Sequence, residues 1–390
     1  MAVPRYIFYN KKVCRMHVFT PRRRRLLQAG VGIAASSVAL TAARAQPARG
    51  LVVAQVVDMS AMQQDVSKDF LIGSRAAWQD INSRGGLRGR PVQHLSIEVD
   101  GSPASLRAAL AQVRDNSACV ALSGTASAGA ASQMAALLRN ESLPIAHVAP
   151  WLQDSSEVDG RTFPIFAHRQ DQIVFALKSL STMGVRDLGA VYATPQEHAL
   201  HHDSVQRTAA AMQLRLQPYQ APKDPRDLGQ SLTPGTPAIL LFLGGTPELA
   251  RFTQGLEKQS RQRYVVALAD VNLQTLSQMG AARRTPVIAT QAVPMVSASL
   301  PLVRAYRESM ARLFDEPPSP LSLAGFMSAR YTYEVLAGMD GTPTRASVLA
   351  AFERRAAMDL GGFRFSYTPQ RFGSTFVTQS MLSTDGRVIG

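Results

Sequence analysis

From Leu51 onward the chain alternates short apolar runs with amphipathic stretches of helical length, and few folds accommodate that order. Strand, helix and strand in repeated succession close into a mostly parallel sheet with helices on its faces, so the chain is expected to be α/β. The expected strands are 51–57, 92–99, 118–122, 144–148, 188–192, 214–219, 238–243, 264–268 and 286–290. Between them lie helical patterns such as Phe70, Ile72, Ala76, Ala77 and Ile81, or Ile173, Ala176, Leu177 and Leu180. Gly85-Gly86, Gly184 and Gly280 suit left-handed helix ends. So many strands exceed one ordinary doubly wound sheet and point to two βα lobes. Beyond Pro294 three helices are expected at 300–314, 322–339 and 345–358. Two antiparallel strands, 363–367 and 376–382, follow and are closed by the turn Thr384-Asp385-Gly386.

The 390 residues carry a net charge of +14, which by itself would suggest a nucleic-acid or membrane partner. Residues 1–45, however, hold nine Lys or Arg and no acid, leaving 33 basic and 28 acidic groups elsewhere. That remainder is an ordinary soluble surface without a dense basic stripe, and no nucleic-acid partner is expected. The positive start has its own explanation. Arg22-Arg23-Arg24-Arg25 precedes a mildly apolar stretch of small residues and then Ala43-Arg44-Ala45, the layout of an export signal. The run Arg23-Arg24-Arg25-Leu26-Leu27-Gln28 resembles a twin-arginine signal, with cleavage expected after Ala45 and Met16 as the expected initiator. A membrane anchor fits less well, because Gly, Ser and Thr interrupt a stretch barely as long as the ~20 residues a span requires. Cys14 falls before the cut, so Cys119 is left without an internal disulfide partner and is expected to be buried.

Several motifs, weak singly and specific in their order, resemble the branched-chain amino-acid-binding family of type I periplasmic binding proteins. They are Ala77-Trp78-Gln79-Asp80-Ile81-Asn82-Ser83-Arg84-Gly85-Gly86 with Gly89-Arg90-Pro91, Glu98-Val99-Asp100-Gly101, and the loop Ser123-Gly124-Thr125-Ala126-Ser127-Ala128. Further on come Leu143-Pro144-Ile145-Ala146-His147-Val148-Ala149-Pro150, Ala324-Gly325-Phe326 and Asp359-Leu360-Gly361-Gly362-Phe363. The resemblance implies two lobes, 50–165 plus 294–358 and 166–293 plus 359–390. The chain would cross between them near Phe166, Val293 and Asp359. It departs from the family at Ala324, where relatives commonly have Glu, and at the loop from Tyr192 to His198, which faces the cleft.

The resemblance also implies a ligand between the lobes, contacted by Ser60, Thr125, Ala126, Ser127, Ala128, Ala149, Trp151, His168, Tyr192, Glu197, Asp270 and Asn272. The Gly124–Ala128 loop offers hydroxyls and backbone N–H groups to a carboxylate; the alternative is a plain turn with Ser127 as helix cap. Trp151 reads as a cleft wall or as a surface or core residue. Asp270 reads as the partner of a ligand ammonium or as the cap of a helix starting at Leu273. His198 and His202 can share a helical face, with His201 and Glu197 beside them, yet the zinc-protease order is absent and no metal or cofactor is expected. No nucleophile elbow, phosphate loop or paired-cysteine site occurs, and Ser127, His168 and Asp270 form a triad only by selection. The expected protein is a monomeric periplasmic binding component that takes an amino acid or similar small carboxylate or amide to an inner-membrane ABC permease. A ligand sensor for a receptor kinase is the alternative and a hydrolase the more distant one.

Overall fold

The computed structural model describes residues 50–154, 158–221, 223–282, 284–368, 371–383 and 386–390; the expected signal, and Thr384 and Asp385 of the expected turn, lie outside them. The first part of the chain runs β1 (Val52–Asp58), α1 (Gln64–Ser83), β2 (Gln93–Val99), α2 (Pro103–Asp115), β3 (Cys119–Ser123), α3 (Ala128–Asn140), β4 (Ala146–Val148) and β5 (Thr162–Phe163). These strands form an all-parallel sheet in the order β2-β1-β3-β4-β5. The chain continues through α4 (Arg169–Thr182), β6 (Asp187–Tyr192), α5 (Pro195–Ala211), β7 (Arg215–Gln220), α6 (Pro225–Ser231) and β8 (Ile239–Leu243). It then makes α7 (Thr246–Leu256), β9 (Tyr264–Ala267), α8 (Leu273–Gln278) and β10 (Val287–Gln291). All nine strands expected between Leu51 and Thr290 are present.

The apolar runs of the central strands are continuous because those strands are buried on both faces, whereas β2 and β7 lie at sheet edges and carry polar residues. Leu240 and Phe242 of β8 enter one core, whereas Leu241 and Leu243 enter the core on the opposite face of the sheet. Val53 of β1 likewise packs with Phe70 and Trp78 of α1, while Val52, Ala54 and Val56 face Leu106 and Leu110 of α2. Cys119 lies in this second core as a free thiol. Helix starts follow the local chemistry: Ser102 and Thr194 accept the N–H of the residue three positions on, each with proline at the first helical position. Gly85, Gly86, Gly184 and Gly280 all take positive φ at helix ends, as expected.

After β10 come α9 (Pro301–Leu313), α10 (Pro320–Ala337) and α11 (Arg345–Glu353). α11 is shorter than the expected 345–358: Arg355 takes a φ of +46° and donates to the Asp159 carbonyl, which ends the helix. The C-terminal strands are β11 (Met358–Asp359), β12 (Arg364–Thr368), β13 (Arg371–Gly373), β14 (Thr378–Leu382) and β15 (Val388–Ile389). The two expected antiparallel strands exist but do not share one hairpin. β12 pairs with β11 and β13 in a small sheet. β14 instead joins the second sheet beside β10 and turns into β15, giving the order β15-β14-β10-β9-β8-β6-β7. Among the described residues no helix is long and apolar enough to cross a membrane.

Candidate functional site

The carboxyl ends of the parallel strands in both sheets carry polar side chains that meet across a cleft, the place where open α/β sheets bind ligands. From the first sheet, Asp58 ends β1, the loop 124–128 follows β3, and Ala149 to Gln153 follow β4. From the second come Glu197 in the first turn of α5 and Asp270 and Asn272 before α8.

Trp151 and Asp270 join the two sides. The indole N–H of Trp151 donates to Asp270 Oδ1 at 3.4 Å, and its ring packs against Phe166 at 5.2 Å and Phe70 at 6.0 Å between centroids. Asp270 Oδ2 accepts from Nη2 of Arg169 at 2.7 Å. Arg169 Nη1 donates to Glu197 Oε2 at 2.6 Å and to His201 Nε2 at 2.7 Å, and its Nε donates to Gln153 Oε1 at 2.5 Å. Burial opposes the guanidinium charge, but Asp270 and Glu197 more than offset it and hold the Arg169 pKa above its ordinary value. One cation shared by two acids serves each only in part. Glu197 is therefore pushed upward, chiefly by burial and further by the Asp270 charge. Burial first, and then the Arg169 charge, lower His201 to about 4, so its ring is a neutral acceptor.

Around the first-sheet loop the hydroxyls are already engaged. Ser127 Oγ donates to Asp58 Oδ2 at 2.9 Å and accepts from the Ala130 N–H at 3.2 Å, while Ser60 N donates to Asp58 Oδ1. Thr125 Oγ1 bonds His147 Nε2 at 2.8 Å, Ala126 pairs with Val57 of β1, and Ala128 opens α3. Ser127 (φ +76°) and Ala149 (φ +44°) hold left-handed backbone, which costs a non-glycine residue on the order of 1–3 kcal/mol.

The sequence-derived residues thus divide. Ser60, Ser127, Trp151, Glu197 and Asp270 enter the bonded networks at the strand ends. Ser127 is also the helix cap of the alternative reading, and its hydroxyl proton goes to Asp58 rather than to a histidine. The cap of α8 is Asn272, which accepts from Gln274 and Thr275 and reaches Asp69 Oδ2 at 3.1 Å; Asp270 is free of that duty. His168 is the residue before α4, its N–H bonded to Asp171. Tyr192 stays apart: its ring is fully buried in the second sheet's core, edge-on to His198 at 4.9 Å, and burial raises its phenol to about 12. His198 and His202 do share a face, but their rings stack at 4.5 Å instead of converging on a point. Among the described residues no group of three His, Cys, Asp or Glu is arranged to hold a metal.

Arg169, Gln153, Asp58 and Asp69 were not anticipated. A cation at the first position of α4 opposes the helix dipole, and that anomaly is the one signal for Arg169 in the sequence. A cavity of about 830 Å³ lined by Gly50, Arg88, Arg90, Ser117 and Arg345 lies at the amino ends of β1 and β3, the wrong end of the sheet for a ligand of this fold.

Asp65, in the first turn of α1, is raised by burial and by the Asp270 charge across the cleft, although a hydrogen bond from Thr246 works the other way. A carboxyl raised in the folded state contributes stability below its unfolded value of 3.8, and that stability is lost as pH rises. Asp65→Asn is therefore expected to raise the urea midpoint at pH 7 and to lose this advantage by pH 4. An equal gain at both values would show that the carboxyl is not perturbed.

Two mostly parallel sheets whose strand ends meet around such a network define the cleft-forming α/β binding proteins. Residues 51–379 match the periplasmic binding protein family, and the chain belongs to it as a type I member. Solved structures agree on the fold. An extracellular ligand-binding receptor from Verminephrobacter eiseniae superposes with a TM-score of 0.78 at 18% identity, over 87% of this chain and 100% of that one. A fatty acid ABC transporter substrate-binding protein from Thermomonospora curvata gives 0.74 at 13% identity, over 86% and 89%. A branched-chain amino acid transporter substrate-binding protein from Streptococcus pneumoniae, in complex with isoleucine, gives 0.72 at 12% identity, over 87% and 98%. A search of the curated proteins finds no match.

Proposed function

We propose that this chain is the periplasmic substrate-binding component of an ABC transporter. It is exported by residues 1–45, cut after Ala45, and takes an amino acid or similar small carboxylate or amide to an inner-membrane permease without catalysing a reaction. The ligand sits between lobe 50–165 plus 294–358 and lobe 166–293 plus 359–390, working as a monomer. Contacts to both lobes favour the closed arrangement over the open one through their differential binding energy, and the lobes turn on the three crossings.

The observation that carries this reading is the pair of cross-cleft bonds, Trp151 to Asp270 and Asn272 to Asp69, which tie the segment after β4 and helix α1 on one side to the segment between β9 and α8 on the other. The neighbours' names include both a fatty acid and isoleucine, so the ligand class must come from this chain's own cleft.

The test is a thermal-shift screen of the chain from Gln46 against amino acids, small organic acids and amides. At one hundred times the dissociation constant a ligand of the folded state adds about 2.7 kcal/mol, or a rise of roughly 3–5 °C. A rise confined to one chemical class is the expected result; none from any class would count against a binding protein for small polar solutes.

A further inference from the structure

We infer that Arg169 occupies the place a ligand ammonium group would take, so that the ligand of this chain carries a carbonyl head, acid or amide, without a free amino group. The inference rests on the binding-protein reading above and narrows it.

An amino acid brings one negative and one positive group, and a closed cleft must satisfy both, because an unpaired charge there is costly. The carboxylate placed to meet the ammonium is Asp270. Both of its oxygens are engaged, Oδ2 by Arg169 at 2.7 Å and Oδ1 by Trp151 at 3.4 Å. Glu197, the second acid, holds the other terminal nitrogen at 2.6 Å. The guanidinium is not a chance visitor. Its side chain is 13% exposed, its Nε bonds the Gln153 side chain, and its backbone N–H bonds the Gln153 carbonyl at 3.0 Å. Arg169 and Asp270 stand 101 positions apart, so helix and sheet must both fold before the pair exists.

An arriving ammonium would have to displace a guanidinium held by four groups or sit beside it as a second cation. A carbonyl oxygen meets no such obstacle. The first N–H groups of α3, at Ala128 and Gly129, have no acceptor within the helix, and the Ser127 and Thr125 hydroxyls are bound to Asp58 and His147. Asp270 and Glu197 leave one acid in excess of Arg169, since His201 is neutral, and Asp65, whose Oδ2 is buried without a hydrogen-bond partner, faces Asp270 as a further acid. Tight amino-acid binding through these remaining acids is the competing outcome.

The experiment is titration calorimetry on the chain from Gln46 with matched pairs: leucine against 4-methylpentanoate and 4-methylpentanamide, and the same pairing for any other side chain that the thermal screen selects. The deaminated partner is expected to bind at least about tenfold more tightly than the amino acid. Whether acid or amide is preferred separates the two carbonyl heads. Arg169→Ala, with its fold checked by circular dichroism, frees Asp270 and is expected to move the ratio at least about tenfold toward the amino acid. Should that variant fail to fold, the wild-type ratio decides alone. Amino acids binding the wild type more tightly than their deaminated partners, or a folded Arg169→Ala with an unchanged ratio, overturns the inference and leaves the binding-protein reading standing. Binding of no compound overturns both.

Discussion

Gly325→Ala and Gly73→Ala are each expected to lower the stability of the folded chain by about 2–3 kcal/mol, although alanine is the better helix former by up to about 1 kcal/mol. Both glycines sit inside helices with ordinary backbone angles, so conformation does not require them. Distance does. A Cβ on Gly325 of α10 would lie 1.8 Å from the Phe70 carbonyl oxygen of α1, and one on Gly73 would lie 1.6 Å from that of Ser322. The two helices are in backbone contact here, and Ser74 Oγ donates to the carbonyls of both Phe70 and Gly325 at 3.1 Å. A methyl group must push the helices apart and loosen the aromatic packing of Phe70, Tyr306 and Phe326. Gly338→Ala is the control: its φ is −78° and the nearest atom to an added Cβ is 3.5 Å away. Urea unfolding followed by circular dichroism is expected to shift its midpoint little, and those of the other two strongly downward. Three coincident curves would mean that the helices are not in backbone contact.

That contact shows what a sequence displays and what it hides. Ala324-Gly325-Phe326 was visible as a motif, but the reason for its glycine is the Phe70 carbonyl on distant α1, to which Ser74 already donates. The central strands up to Thr290 were legible because burial on both faces leaves almost only apolar residues in them, as in the Ile239–Leu243 run, whereas the edge strands β2 and β7 carry polar residues. The last segment was harder. β14 and β12 look alike in sequence, yet one extends the large sheet beside β10 and the other builds a separate small one, a choice made by distant partners. Helix ends with side-chain caps could be read; the early stop of α11 could not, since it follows from Arg355 reaching Asp159.

At the site, resemblance picked out Glu197 and Asp270 as acids facing a cleft, but not the cation between them. Arg169 bonds across 28 and 101 positions, and pairs at such separations leave no periodic trace. Asp58 is similar: it ends a strand like any loop acid, and only the fold brings Ser127 to it from 69 positions away.

Between pH 6 and pH 4 the folded chain is expected to lose about 1.4 kcal/mol per pH unit through His147 alone. This histidine lies within β4, fully buried, with Nε2 on the Thr125 hydroxyl beneath the candidate loop. Burial lowers its pKa from 6.5 to about 3, a nearby Asp159 pulling weakly the other way. The sign follows from which state accepts the proton. The unfolded chain binds it near pH 6.5 and the folded chain only near 3, so the stability is whole above 6.5 and lost as pH falls between them. By pH 4 the loss reaches about 3 kcal/mol, a large share of what a domain commonly has. His94 and His201, both lowered to about 4, add to it, while Asp69 and Glu197, raised mainly by burial, act in the opposite sense. His147→Gln removes one titration and keeps a partner for Thr125, and the other groups cancel in the difference between the two proteins. Urea unfolding at pH 7, 6, 5 and 4 is expected to give a wild-type line steeper by about 1.4 kcal/mol per unit below pH 6. Parallel lines would mean that the folded state takes up the proton at His147, which requires the Thr125 loop to open.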